Sequence, residues 1–232
     1  MVMADGRFHS HAERRDSRMA AAGRALSRMI APGLVLLAVA AAGVAARGEP
    51  VSLFGAFAFA GLAFDPGAWF TLAQVWVFAL FLAVNLIGRR YGAGVTTGAA
   101  TLAFAVAGGI WAWAAFGSAH VILSAELIAA LTAQPVVMAV FLSLGAGLLI
   151  AIVVFDLVRG RPWWKAPLLA PLLGGAAYVA LFHALAAPVV DGTYGERVVT
   201  HMTIFAAAVL AMLVIYHVLR PAIRPLPGYG GA

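Results

Sequence analysis

Val136–Phe155 reads VVMAVFLSLGAGLLIAIVVF, twenty residues without a charge, and Asp156-Leu-Val-Arg159-Gly-Arg161-Pro-Trp163-Trp164-Lys165 follows at once. A helix of that length rises about 30 Å, which is the thickness of the hydrocarbon core of a bilayer. The run has no polar face for water, so a helix here is expected to be surrounded by lipid or protein throughout. The abrupt change to Arg161, Trp163, Trp164 and Lys165 has the composition of a membrane–water interface, where indoles and cations anchor a span. Asp156 sits at the same level, which predicts an interfacial ion pair with Arg159 or Arg161 rather than a proton relay.

Similar uncharged runs lie on both sides, at Met29–Ala46, Ala68–Gly88, Gly94–Phe116, Ala166–Ala187 and Val198–Leu219. They predict an all-α integral membrane protein with six transmembrane helices. Val51–Phe64 is apolar but too short to cross, and is expected to be re-entrant or interfacial between the first and second spans. Residues 119–134 suggest a short surface helix ending before Pro135. The domains expected are a cytoplasmic basic tail over 1–28, a membrane domain over 29–219 and a cytoplasmic C-terminal tail over 220–232. A cleaved signal peptide is the rival reading of Met29–Ala46, with Val44-Ala45-Ala46 as its cleavage site. The long basic stretch ahead of it favours a retained span.

Charge placement supports this count. With the N-terminus inside, thirteen of the fifteen Lys and Arg residues fall on inner segments: the tail, Arg89–Arg90, Arg159–Lys165 and the stretch after Leu219. The outer segments hold Arg47 and Arg197 together with Glu49, Asp65, Glu126, Asp191 and Glu196. That alternation follows the positive-inside rule and places both termini in the cytoplasm of a bacterial-type inner membrane.

Composition agrees. Of 232 residues, 64% are hydrophobic and 10% charged, and the mean hydropathy is +0.98. A soluble domain carries about a quarter charged residues, and a disordered chain fewer apolar ones. There is no cysteine, so disulfides, thiolate metal sites and cysteine nucleophiles are excluded. The net charge of +6 is spread over interfacial segments and forms no compact basic stripe, so lipid rather than nucleic acid is the expected contact. No serine–histidine–acid grouping, phosphate loop or carboxylate pair is present, and no enzymatic activity is expected.

A polar residue inside a span is a functional hypothesis by default. Gln74 and Asn85 are eleven residues apart, which returns to within about 20° of one helix face, and either lines a cavity or hydrogen-bonds a neighbouring helix. His183 and His201 flank one outer loop and are close enough in sequence to meet. Six histidines without cysteine or a matching carboxylate make a weak metal signal, and no metal or cofactor is expected. The glycines, such as Gly145, Gly147, Gly174 and Gly175, suit close helix packing.

Leu82-Ala83-Val84-Asn85-Leu86 with Arg89-Arg90-Tyr91-Gly92 resembles the second-span signature of the VUT family, the vitamin-uptake and queuosine-precursor transporters. Val154-Phe155-Asp156-Leu157-Val158-Arg159 and Arg161-Pro162-Trp163-Trp164-Lys165-Ala166-Pro167, then Gly174, resemble its Val-Phe, Arg, Trp-Trp, Ala-Pro and Gly run. The similarity covers roughly residues 50–219. It implies uptake of a small purine-like or vitamin-like molecule at a mid-membrane site, with the Asn85 amide, the Tyr178 phenol and Gln74 as hydrogen-bonding groups. The chain departs from the family's polar pattern at Asn85, Arg89, Leu148, Ala151, Gly175 and Tyr178, so a member without the intramembrane acids is implied. The alternative is a non-transporting subunit or assembly protein that docks on a membrane-protein partner, for which Ala38, Ala42 and Ala46 offer a face of small residues.

Overall fold

A computed structural model describes residues 11–45, 57–59, 62–64, 72–116, 135–186 and 193–226. The elements are α1 (His11–Ala45), β1 (Phe57–Phe59), β2 (Leu62–Phe64), α2 (Leu72–Phe116), α3 (Pro135–Val158), α4 (Lys165–Leu185) and α5 (Tyr194–Leu219). All five helices are long and apolar enough to cross a membrane. The chain is therefore an all-α, multi-pass membrane protein by the length and composition of its helices.

Three expectations change in detail. Helix α1 begins at His11, well inside the stretch read as a tail, where the abundance of Ala and Arg gives high helix propensity. Part of Val51–Phe64, the segment expected to be re-entrant or interfacial, forms a hairpin in which Phe57 pairs with Phe64 and Phe59 with Leu62. The residues predicted as a surface helix, 119–134, lie outside those described, as does His120.

The third difference concerns the second and third predicted spans. They form one continuous helical element, α2, interrupted only at Gly92 with φ 76° and ψ 173°. That backbone conformation is open to glycine alone. Contacts with α1 measure the consequence. A Cβ placed on Gly43 would meet the Trp76 side chain at 3.1 Å, and one on Gly33 would meet the Ala99 carbonyl oxygen at 3.5 Å. Those glycines are about 15 Å apart along α1, whereas a straight α2 would separate Trp76 from Ala99 by about 34 Å. Gly88 also approaches the Thr96 hydroxyl, 3.8 Å from a Cβ at that position, although eight residues of straight helix span about 12 Å. The chain therefore folds back at Gly92, and both arms of α2 lie against α1.

The interior is built from narrow stripes. On α5 the buried side chains are His201, Phe205, Val209, Met212 and Tyr216, spaced by three or four residues. On α4 they are Ala166, Pro167, Ala170, Pro171, Gly174, Gly175, Tyr178, Val179 and His183, a two-residue-wide stripe recurring every fourth position. Leu149, Val153 and Leu157 on α3 and Leu210, Val214 and Val218 on α5 point outward and are exposed. Outward apolar side chains are costly in water and favourable in hydrocarbon.

Small residues set the helix spacing. Gly147 of α3 and Gly174 of α4 face each other so closely that a Cβ on Gly147 would stand 2.7 Å from the Gly174 carbonyl oxygen and 2.8 Å from Tyr178 Cβ. Without the glycines the two backbones could not approach this closely, which is the usual role of small residues between membrane helices. At the other end of α4, Thr193 starts α5 with a capping box. Its hydroxyl accepts from the Glu196 amide, and the Glu196 carboxylate accepts from the Thr193 amide at 3.2 Å.

Candidate functional site

Asn85 lies on the first arm of α2, in one face with Phe78 and Phe81 at spacings of three and four. It is 2% exposed, and its Oδ1 is buried without a hydrogen-bond partner. A carbonyl oxygen removed from water and left unpaired costs about 1–3 kcal/mol. Native structures rarely carry such an atom without a reason.

One to two turns further from Gly92 than Asn85, the three helices α2, α4 and α5 contribute aromatic rings. Phe205 of α5 sits between them, with its ring centroid 5.2 Å from Phe78 and 5.3 Å from Phe81, both edge-on. Tyr178 of α4, 3% exposed, lies 6.4 Å from Phe205 and stacks on Phe182 at 6.1 Å. Gly175 makes room for this arrangement, because the Phe205 ring occupies the place where its side chain would stand. Edge-to-face contacts of this kind are favoured by the ring quadrupoles.

The cluster continues toward the end of the bundle that carries Thr193. His201 meets Tyr178 edge-on at 5.7 Å, and its Nδ1 lies 3.2 Å from His183 Nε2. The sequence left open whether these histidines, on either side of one connection, come together; here they do. At that distance one imidazole donates and the other accepts, so each fixes the other's tautomer. Among the described residues no group of three or more His, Asp or Glu converges on a point. Two imidazoles in mutual hydrogen-bond contact make an incomplete ligand set for zinc.

The expected substrate-binding residues are thus placed differently. Asn85 and Tyr178 are both buried; Tyr178 is linked to Phe81 through the ring of Phe205, and Asn85 stands one turn of α2 beyond Phe81 on the Gly92 side. Gln74 is half-buried, about 16 Å further along the same arm of α2 than Asn85. It belongs to the level of Trp76 and α1 rather than to the aromatic cluster. Phe78, Phe81 and Phe205 were not singled out in the sequence. The spacing of Phe78, Phe81 and Asn85 was the available signal, but phenylalanine on an apolar helix is indistinguishable from lipid-facing residues until its partners are known.

The interfacial residues gather at the opposite end. Arg89 and Arg90 stand just before the Gly92 turn; Arg161, Trp163 and Trp164 lie in the α3–α4 connection; Lys165 opens α4. The segment after α5 returns to the same place. Arg89 Nε donates to the Ile223 carbonyl at 3.1 Å, and the Leu226 amide donates to the Arg90 carbonyl at 3.0 Å. The Trp163 ring lies 4.6 Å from His217, and the Arg220 guanidinium stands 5.0 Å over it. Arg159 pairs with Asp156 at 3.2 Å, as the sequence suggested. Met29 of α1 packs against Gly98, one and a half turns beyond Gly92, so the start of the first span is at this end too.

No protein-family model, curated protein or solved structure matches this chain.

Proposed function

We propose that this chain crosses a bacterial-type inner membrane six times and binds a small, flat, polar solute in its interior for uptake, in the manner of a purine or vitamin transporter. Two observations support six crossings. The fold-back at Gly92 divides α2 into arms of 20 and 24 residues, each long enough to span. Arg89, Arg90, Arg159, Arg161, Lys165, Arg220 and Arg224 all fall at one end of the bundle, with Asp156 the carboxylate among them. By the positive-inside rule that end, and with it both termini, faces the cytoplasm.

The observation that carries the solute-binding reading is the buried, unpaired Oδ1 of Asn85, one turn of α2 from the Phe81 end of an aromatic cluster. An amide acceptor with an unmet hydrogen bond and ring faces nearby is the equipment that recognises a heteroaromatic N–H donor. Tyr178 provides a second polar group in the same interior. The resemblance of Leu82–Gly92 and Val154–Gly174 to the queuosine-precursor transporters points to the same ligand class. Uptake of a queuosine precursor or a vitamin, measured in a strain lacking its own transporter, tests the reading. Wild-type chain is expected to restore uptake and Asn85→Leu to abolish it at equal expression.

The contact of Gly147 with Gly174 favours a second reading, a non-transporting membrane subunit. These backbones touch at the level of Phe81 and Tyr178, which suits a fixed scaffold better than a moving pair. Wild-type chain that moves no candidate solute and co-purifies stoichiometrically with another membrane protein would establish that alternative.

A further inference from the structure

We propose that the pocket between the ends of α2, α3, α4 and α5 holds the phosphate group of an anionic phospholipid from the adjoining leaflet. The pocket is lined by Arg89, Phe155, Arg159, Gly160, Trp163, Ala166 and Tyr216. It lies at the end of the bundle opposite the His183–His201 pair and is independent of whatever the interior binds.

Its chemistry suits a phosphate diester. Two guanidinium groups stand in its wall, and the forked N–H donors of arginine match phosphate oxygens better than any other side chain. Arg89 is held in place by its bond to the Ile223 carbonyl, so its guanidinium is ordered before a ligand arrives. A third guanidinium, Arg220, reaches the rim by stacking on Trp163. The carboxylate beside them, Asp156, is engaged by Arg159. Tyr216 is almost wholly buried and brings a phenol to the pocket from the fourth side.

The surroundings select a lipid over a soluble phosphate. At this end of the bundle Leu157 of α3 and Val218 of α5 are 77% and 68% exposed; two residues from Phe155 and Tyr216, they lie on the outer faces of their helices and turn to the surrounding hydrocarbon. Trp163 and Trp164 are partly exposed at the same level, where indoles settle at the headgroup boundary. A basic pocket between helix ends, with the Trp163 indole in its wall at headgroup level, is a form in which membrane proteins recognise anionic headgroups.

The test is thermal unfolding of the purified full-length protein in a neutral detergent, with added lipid. Phosphatidylglycerol at a hundredfold excess over its Kd is expected to raise the midpoint by about 5–10 °C. Phosphatidylcholine and millimolar inorganic phosphate are expected to leave it unchanged. Arg159→Gln, which leaves the Arg89–Ile223 bond intact, and Arg89→Ala are each expected to remove most of the rise, while Arg24→Ala on the exposed face of α1 keeps it. Equal protection by phosphatidylcholine would overturn the charge recognition. Equal protection by inorganic phosphate would overturn the lipid assignment. A rise that persists in Arg159→Gln and Arg89→Ala would overturn the site.

Discussion

Replacing Asn85 by leucine separates a residue kept for a ligand from one kept for the fold. Leucine has the same number of side-chain heavy atoms and the same branch at Cγ, so it enters the site with little change of shape. The substitution removes a buried Oδ1 that has no partner, an atom that costs about 1–3 kcal/mol in the unliganded protein. Methyl groups are somewhat larger than the oxygen and nitrogen they replace, and overpacking opposes part of that gain. The net expectation is a stabilisation of about 1–2 kcal/mol, or roughly 2–8 °C in the unfolding midpoint for a chain of this size. Thermal unfolding of detergent-purified protein, followed by tryptophan fluorescence, measures it. Solute uptake by the same variant is expected to be lost. A polar group that weakens the fold while enabling binding is the signature of a functional residue. If Asn85→Leu lowers the midpoint, the amide is holding helices together, and the solute-binding reading loses the observation that carries it.

The remaining expectations concern the scaffold. Gly147→Val places side-chain atoms where the Gly174 carbonyl and Tyr178 Cβ now stand, and is expected to cost at least 1–3 kcal/mol, read as a lowered unfolding midpoint. Gly92→Ala forces an alanine into φ 76°, ψ 173° at a cost of about 1–3 kcal/mol; Gly94→Ala, in open space two residues away, should be nearly neutral in the same assay. Thr193→Ala removes the capping box of α5 and should cost about 1 kcal/mol, with faster amide exchange confined to the first turn after Thr193. Reporter fusions after Gly88 and Val158 are expected to read cytoplasmic and those after Phe116 and Ala187 external. A single fusion on the wrong side would break the six-crossing topology.

The helices were legible in the sequence because the bilayer imposes a length. Val136–Phe155 has to be a helix of about 30 Å if it crosses at all, and α3 occupies Pro135–Val158. The same reasoning expected a break in the apolar run at Arg89 and Arg90, and α2 is interrupted two residues later, at Gly92. It did not show that the division is a single residue. Helical periodicity on either side is unaffected by one glycine at positive φ, so nothing in the pattern separates a turn at Gly92 from a loop of several residues. Nor could periodicity show that the short segment ahead of α2 pairs Phe57 with Phe64 as a hairpin.

The candidate site divides along the same line. That Asn85 and Tyr178 turn inward follows from the cost of leaving amide or phenol in hydrocarbon, and both are buried. His183 and His201 flank one connection, which permits but does not require the contact they make. Their neighbours follow from neither argument. Phe205 enters between Phe81 and Tyr178 because Gly175 vacates the space, a pairing across two helices far apart in sequence. The return of residues 220–226 onto Arg89 and Arg90 is harder still to foresee, since the Ile223 and Arg224 groups that accept from those arginines are backbone carbonyls. A carbonyl is present at every position, whatever its side chain. Charge patterning therefore revealed which segments share an end of the bundle, while the contacts that fix Arg89 beside the proposed phosphate pocket arise from backbone groups that leave no trace in the sequence.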